Sequence, residues 1–295
     1  MQAALLPDRG VIKLEGKDAR KFLNGLVTAD IANVTEQSPR FAALLTPQGK
    51  IIVDFIVASG DPPDEQTLYL DCPKALAATL MERLAFYKLR AKIEVEDLSD
   101  ILCILALWDD AAPGHWGLRY PDPRLLGLGW RCMSPPDPAD AAAAFGAELV
   151  DASAYEAHRI ALGVPAGGLD FIYGNAFPHE ADMDQLGGVD FDKGCFVGQE
   201  VVSRMEHRGT ARTRVVPVTL SGAAPPVGSV VTADDKPVGV MGSSAGGRAL
   251  ATLRLDRVAD ALAGGVPLRA RDTELQPVKP AWARFAFPGE AKAAE

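Results

Sequence analysis

The sequence has little of what disulfide frameworks and metal centres are built from. Its 295 residues include four cysteines and four histidines. Cys72, Cys103, Cys132 and Cys195 lie far apart and form no Cys-x-x-Cys pair. A disulfide scaffold is therefore not expected, and a reducing compartment is. The histidines are scattered as well, with no metal-ligand spacing, so no metal is expected. Long apolar runs are also missing. The longest, Ile101–Trp108, is far too short to span a bilayer. The first residues, Met1 to Arg9, lack a basic start and a long apolar core, so no secretory signal is expected and the cytoplasm is the default location. Positive charge is in deficit, with a formal net charge of −9. That balance speaks against broad nucleic-acid binding, which needs a basic face. Neither a direct nucleic-acid partner nor a membrane partner is expected.

What is present fits a globular chain: 48% of residues are apolar and 23% charged. The length favours two domains. Val11, Ile12 and Leu14 give an opening strand over 9–15. Ala19, Phe22, Leu23 and Leu26 then recur at helical spacing. Phe41 to Leu45 and Ile51 to Ala58 read as paired strands around a Thr46-Pro47-Gln48-Gly49 type I turn. The stretch from Ser59 to Gln66 reads as an exposed loop, and Leu68 to Leu70 as another short strand. A helix follows Pro73, with Leu76, Leu80, Leu84 and Tyr87 along one face. Ile93 and Val95 begin a strand, and Ile101 to Trp108 reads as a buried one. Residues 113–138 are rich in proline and glycine and yield no assignment. Ala139 to Phe145 reads as a helix. Asp151 or Ser153 can cap the next helix, which Gly163 and Pro165 end.

After about residue 210 the pattern changes. Val215 to Leu220, Val227 to Thr232, Val238 to Gly242 and Arg248 to Leu255 are short strand candidates, and Val258 to Leu262 is the one helical stretch. This reads as a small antiparallel barrel or sandwich. The fold class expected is α+β, with a body over residues 1–209 and a β-barrel domain over 210–290.

The most unusual segment runs from Gly187 to Arg214. It holds Lys193-Gly194-Cys195-Phe196-Val197-Gly198-Gln199-Glu200, followed by Arg204, Arg208, Arg212 and Arg214. Gly194 and Gly198 bracket the cysteine, and glycine permits a sharp turn or a close backbone approach. A helix can begin at Gln199. A thiol just ahead of a helix, with Lys193 two residues away, is placed to favour the thiolate, the form that acts as nucleophile or metal ligand. The same spacing also suits a cysteine packed between Phe191 and Phe196 in a tight turn. Guanidinium groups pair with carboxylate or phosphate through two hydrogen bonds. Arg204 and Arg208 suit such a ligand, whereas Arg212 and Arg214 suit salt bridges. His207 is a surface histidine on this reading, and no hydrolase pairing with Cys195 is recognisable.

Lys-Gly-Cys-Phe-Val-Gly-Gln-Glu at 193–200, with Arg204 and Arg208-Gly209, is similar to the signature of the YgfZ-type folate-binding family. That family lies within the superfamily of the glycine-cleavage T protein. Further likeness lies in Gly16, Asp18, Phe22, Gly25 and Val27-Thr28-Ala29-Asp30, in Gly49-Lys50 with Asp54, in Ile160 to Pro165 and in Leu186-Gly187-Gly188. Past Gly209 it rests mainly on Val238-Gly239-Val240. The resemblance implies a T-protein-like folate-binding body with a C-terminal barrel, and tetrahydrofolate or a one-carbon derivative as ligand. It also implies a role in assembling or repairing iron–sulfur enzymes, including those that modify tRNA, with iron–sulfur assembly proteins or client enzymes as partners. Activity would centre on Cys195 with Lys193, while Gly194, Gly198, Gln199 and Glu200 hold the loop.

For folate contacts the resemblance points to Tyr155, whose ring can stack on a pterin or aminobenzoate, and to Asp54, Arg204 and Arg208. Tyr155 also reads as a core residue of its helix, and Asp54 as an ordinary strand carboxylate. A second aromatic position of some relatives falls near Arg9. T proteins hold the pterin with a glutamate in Arg-Leu-Glu-Ala-Gly, where this chain has Ala161 in Arg159-Ile160-Ala161-Leu162-Gly163. They also carry paired acids in the first hairpin, where this chain has Val53 and a single Asp54. Two other functions are compatible with the sequence. One is an aminomethyltransferase that moves a methylene from a lipoyl-bound amine to tetrahydrofolate. The other is a folate-binding scaffold without chemistry.

Overall fold

The computed structural model describes residues 1–60, 66–109, 114, 116–209 and 211–288. Most of the expected 59–66 loop, the start of the 113–138 stretch and Thr210 at the expected domain boundary lie outside the described residues. The chain packs as two compact units: Met1–Tyr155 with Leu186–Glu200, and Glu156–Gln185 with Val201 onward. The sequence suggests one division at residues 209–210. The packing divides the chain otherwise, because residues 156–185 cluster with the C-terminal strands.

In the first unit, β1 (Gln2–Leu5), β2 (Arg9–Glu15), α1 (Ala19–Asn24), β3 (Arg40–Leu45), β4 (Ile51–Ser59), β5 (Thr67–Pro73), α2 (Ala77–Lys88) and β6 (Glu94–Asp97) come first. They are followed by β7 (Cys103–Trp108), β8 (Leu118–Pro121), β9 (Trp130–Ser134), α3 (Pro138–Ala144) and β10 (Glu148–Val150). One sheet has the antiparallel order β3-β4-β5-β2-β6 and the other the order β10-β1-β7-β9-β8. In the first hairpin Phe41 faces Ile56 and Ala43 faces Asp54. The turn closes as expected, with the Gly49 N–H donating to the Thr46 carbonyl over 2.8 Å. Ala19 and Leu23 of α1 and Leu80 and Leu84 of α2 are buried on the inner residues of this sheet, among them Ile12, Leu14, Val53, Phe55 and Leu70. Helical and two-residue periodicities thus meet in one core. α4 (Ala152–Leu162) follows. Asp151 caps it, its Oδ1 accepting from the Ser153 N–H over 2.8 Å. Ser153 lies inside the helix, so of the two candidate caps the earlier one is used.

α5 (Gln199–Arg208) leads to the barrel strands β11 (Thr213–Leu220), β12 (Val230–Ala233), β13 (Lys236–Ala245) and β14 (Arg248–Arg254), then α6 (Leu255–Ala263), β15 (Leu268–Ala270) and β16 (Thr273–Pro277). They close in the order β11-β14-β13-β12-β15-β16. Asp234 and Asp235 both have positive φ, 45° and 61°, as a two-residue type I′ hairpin turn between β12 and β13 requires. Val216, Val218, Met241, Ala251, Leu253 and Leu268 fill the interior.

Each unit also buries a charge network. In the first, Arg131 on β9 is 3% exposed. Its Nη1 donates to Asp71 over 2.7 Å, its Nε to Asp122 over 3.0 Å and its Nη2 to the Tyr155 hydroxyl over 3.2 Å. Arg9 donates to the other oxygen of Asp71 over 2.6 Å, Tyr120 donates to Asp71 over 3.1 Å, and Arg124 grips Asp122 through two nitrogens. Burial acts to raise both carboxyls. Arg131 with Arg9 at Asp71, and Arg124 with Arg131 at Asp122, outweigh it and hold both below the ordinary carboxylate range. In the second unit Arg159 on α4 donates to Glu156, Asp170, the Val164 carbonyl and Ser243. Asp170 in turn accepts from the Ser243 N–H and hydroxyl, over 2.7 Å each. This ties the segment after α4 to β13.

Arg131→Met leaves two buried carboxylates with too few donors. Denaturant unfolding is expected to show a loss of about 3–5 kcal/mol. In the parent chain the stability contributed by Asp71 and Asp122 is full above their unfolded pKa of about 3.9. It is lost as pH falls below that value, and an acid titration followed by circular dichroism should show this.

Candidate functional site

The segment 187–198 is a turn-rich loop pinned to the first unit at several points. Thr28, fully buried, donates through Oγ1 to the Gly188 carbonyl over 2.5 Å and accepts from the Ala43 N–H over 2.8 Å. The Asp190 N–H donates to the Thr28 carbonyl over 2.9 Å. The Asp190 carboxylate turns the chain by accepting from the N–H groups of Asp192 and Lys193 over 2.9 and 3.1 Å.

Lys193 supplies the strongest attachment. Its Nζ donates to the carbonyls of Asn24, Val27 and Ala29 over 2.8, 2.7 and 2.6 Å. An ammonium has three hydrogens, so these three acceptors use all of its donors. Burial pulls its pKa down to about 8, while Asp30 and Asp190 act to raise it. The sequence places Lys193 beside the thiol as an activating charge; in the fold its ammonium anchors the loop to the end of α1 and the segment after it.

The two bracketing glycines differ. At Gly198 φ is +81°, and a β-carbon there would come within 2.6 Å of the Thr46 carbonyl oxygen and 3.1 Å of the Gly49 α-carbon. This position needs glycine twice over, for its torsion and for its approach to the β3–β4 turn. Gly194 is exposed, and a β-carbon there would meet nothing within 4 Å. Its expected supporting role has no counterpart in packing. Gln199 folds back, its Oε1 accepting from the Phe196 N–H over 3.0 Å while its own N–H donates to the Phe196 carbonyl over 3.3 Å. Glu200 is exposed in the first turn of α5, where a carboxylate suits the helix dipole. Val197 packs on the core beneath. Cys195 is left exposed between these attachments. The alternative of a cysteine sealed between Phe191 and Phe196 does not hold, since Phe191 itself is 40% exposed.

The expected folate contacts are placed differently. Tyr155 is 3% exposed; its hydroxyl accepts from both Arg124 and Arg131, and its ring meets Trp108 edge-on at 5.7 Å between centroids. The enclosed ring agrees with the reading of Tyr155 as a core residue of its helix. Asp54 is buried on β4 rather than facing solvent. Arg204 and Arg208 are exposed on α5. Arg9, Asp71, Asp122, Arg124 and Arg131 were not singled out for the charge network they form with Tyr155. The available signal was a charged residue inside an otherwise apolar strand, as in Leu70-Asp71-Cys72 and Trp130-Arg131-Cys132.

Comparison with known proteins adds to this geometry. The family model "CAF17, C-terminal beta-barrel domain" matches residues 212–285, the span of the closed barrel. The "Iron-sulfur cluster assembly factor IBA57 homolog, mitochondrial" of Mycosarcoma maydis is 36% identical over 243 residues, covering 76% of this chain and 59% of that protein. The chain belongs to the IBA57/YgfZ/CAF17 family. The IBA57 homologue of Neurospora crassa is 33% identical over 241 residues, covering 75% of this chain and 55% of its own length. The chain thus spans under two thirds of the length of these curated relatives. Among solved structures, the glycine cleavage system aminomethyltransferase T from Bartonella henselae superposes with a TM-score of 0.74 at 18% identity, covering 97% of this chain and 87% of that one. This likeness confirms the fold, α+β and T-protein-like with a C-terminal six-stranded antiparallel barrel. The cytoplasmic expectation is corrected: the IBA57 relatives are mitochondrial by name.

The placement of the four thiols gives a direct test. Burial pushes Cys72 and Cys132 up to about 12, so neither supplies thiolate at neutral pH. Iodoacetamide at pH 7.5, a condition in the ordinary range for thiol labelling, should modify Cys195 first and the half-buried Cys103 more slowly. Cys72 and Cys132 should react only after unfolding, as read by peptide mass spectrometry.

Proposed function

We propose that this protein, a homologue of the iron–sulfur cluster assembly factor IBA57, supports the assembly or repair of iron–sulfur proteins through the Cys195 thiol. The observation that carries this reading is the exposed sulfur on a loop fixed by Lys193, Thr28 and Gly198. A fixed backbone presents the thiol in one place without covering it, which suits transient sulfur or cluster contact with a second protein. Clusters are held by several thiolates. The remaining ligands would come from iron–sulfur assembly proteins, client enzymes or small thiols. The names of the relatives support the same reading.

Tetrahydrofolate or a one-carbon derivative is the small-molecule ligand we propose, on the likeness of the fold. The residues fit it in part. Arg204 and Arg208 are exposed and suit the carboxylates of a glutamate tail. Tyr155 offers no open ring face, and Ala161 cannot accept the pterin N–H groups. The same alanine weighs against aminomethyl transfer as the activity. We retain residues 1–209 as the proposed folate-binding domain and 210–290 as the barrel domain.

Cys195→Ala should abolish support of a cluster-dependent enzyme in cells lacking the native protein, while Cys103→Ser should retain it. Full activity in the Cys195→Ala strain would remove the thiol from the function and leave a scaffold. Calorimetric titration with tetrahydrofolate should give saturable binding that Cys195→Ala leaves intact and that Arg204→Ala with Arg208→Ala weakens by about tenfold. No binding would remove folate while leaving the thiol reading in place.

A further inference from the structure

The second unit gathers metal-donor side chains that stand far apart in the sequence. His179 and Asp184 belong to the turn-rich segment after α4, and Glu206 to α5. His179 is 1% exposed, and its Nε2 lies 3.0 Å from Glu206 Oε2. With one oxygen of Asp184, these donor atoms all lie within 4.8 Å of one another. Two of the three are fixed in advance. Arg214 donates to both oxygens of Asp184, over 2.6 and 2.8 Å, and to the His179 carbonyl over 2.9 Å. Its guanidinium is in turn covered by the Phe285 ring at 4.6 Å. Glu206 is half-exposed, so the third donor stands at the solvent edge.

A second, independent observation comes from Asp182. It is fully buried, and one of its oxygens accepts from the same Arg214 nitrogen over 3.2 Å. Its Oδ2 has no hydrogen-bond partner among the described residues. A buried oxygen without a donor is costly and marks a place that lacks positive charge. Asp182 and Asp184 share the single guanidinium of Arg214, and Glu206 lies against the histidine ring. Asp184 and Glu206 as carboxylates against one guanidinium leave the group one positive charge short. One imidazole and two carboxylates form a donor set that suits a first-row divalent ion. The harder magnesium and calcium ions take oxygen donors alone.

We propose that His179 Nε2, Asp184 and Glu206 bind a divalent transition cation of the zinc or ferrous class, with Arg214 orienting Asp184. The ion replaces the hydrogen bond between His179 and Glu206, both donors turning onto it, and solvent fills the coordination positions on the Glu206 side. His179 binds as the neutral imidazole with its proton on Nδ1, so a hydrogen carried by Nε2 moves to Nδ1 through solvent as the ion enters. The sequence hides this site because its donors have no regular spacing; only the fold of residues 177–185 against α5 brings them together. The site is independent of the Cys195 reading and stands or falls separately.

The test is a zinc chloride titration of the full chain after chelator treatment, in a Cys195→Ser background so that the exposed thiol does not compete. Calorimetry should show one saturable site. Glu206→Gln, a solvent-edge change that leaves the core intact, should weaken it at least about tenfold. His179→Gln should do the same, while His207→Ala, one residue along α5 from Glu206, should leave affinity unchanged. Manganese followed by electron paramagnetic resonance should report the same dependence. Absence of saturable zinc uptake at millimolar ion overturns the proposal. So does uptake that is equal in Glu206→Gln and its parent, or a preference for magnesium over zinc.

Discussion

Three backbone carbonyls around one ammonium hold the cysteine loop in place. Asn24, Val27 and Ala29 lie at the end of α1 and just after it, where a chain leaving a helix has carbonyls without intrahelical partners. Lys193 satisfies them from a point about 165 residues away in sequence. The Thr28 hydroxyl repeats the link with the Gly188 carbonyl. The position of Cys195 therefore derives from the geometry of a helix end rather than from any contact of its own side chain. Loops that carry chemistry while their own flanks are rigid combine access with a fixed direction of approach.

Much of the body was legible in the sequence. The β3–β4 hairpin announced itself through Phe41–Leu45, the Thr46–Gly49 turn and Ile51–Ala58, because two short apolar runs flank a turn signature there. The antiparallel C-terminal half was legible from its first four strands, β11 to β14. The strands that escaped have identifiable causes. β1 is a short Gln-Ala-Ala-Leu with no β-branched residue, and its place is decided by β7 and β10 on either side. β15 and β16 alternate buried and exposed residues over only three and five positions, and closing the barrel rather than local preference makes them strands. At the candidate site, the cysteine and its glycines stood out by composition. The roles of Lys193 and Tyr155 did not, because each is fixed by partners more than twenty residues away.

The two buried charge networks follow one design. Each centres on an arginine, Arg131 or Arg159, whose nitrogens reach acids and neutral acceptors from several segments. Desolvating a guanidinium and its acids costs about as much as their attraction returns. Such a group adds little to net stability and much to the choice of a single arrangement, since any other packing leaves a charge unpaired. Within each unit it fixes how irregular segments meet the sheets: residues 122–124 and β8–β9 in the first, residues 163–170 and β13 in the second.

The contact beneath Gly198 is made by main chain against main chain, at the Thr46 carbonyl and the Gly49 α-carbon. Its dimensions are those of peptide groups and owe nothing to side-chain identity. The hairpin tip is thus free to drift in composition at Pro47 and Gln48 without altering the sulfur's station, whereas a change in its length, by even one residue, would move the seat on which the loop rests.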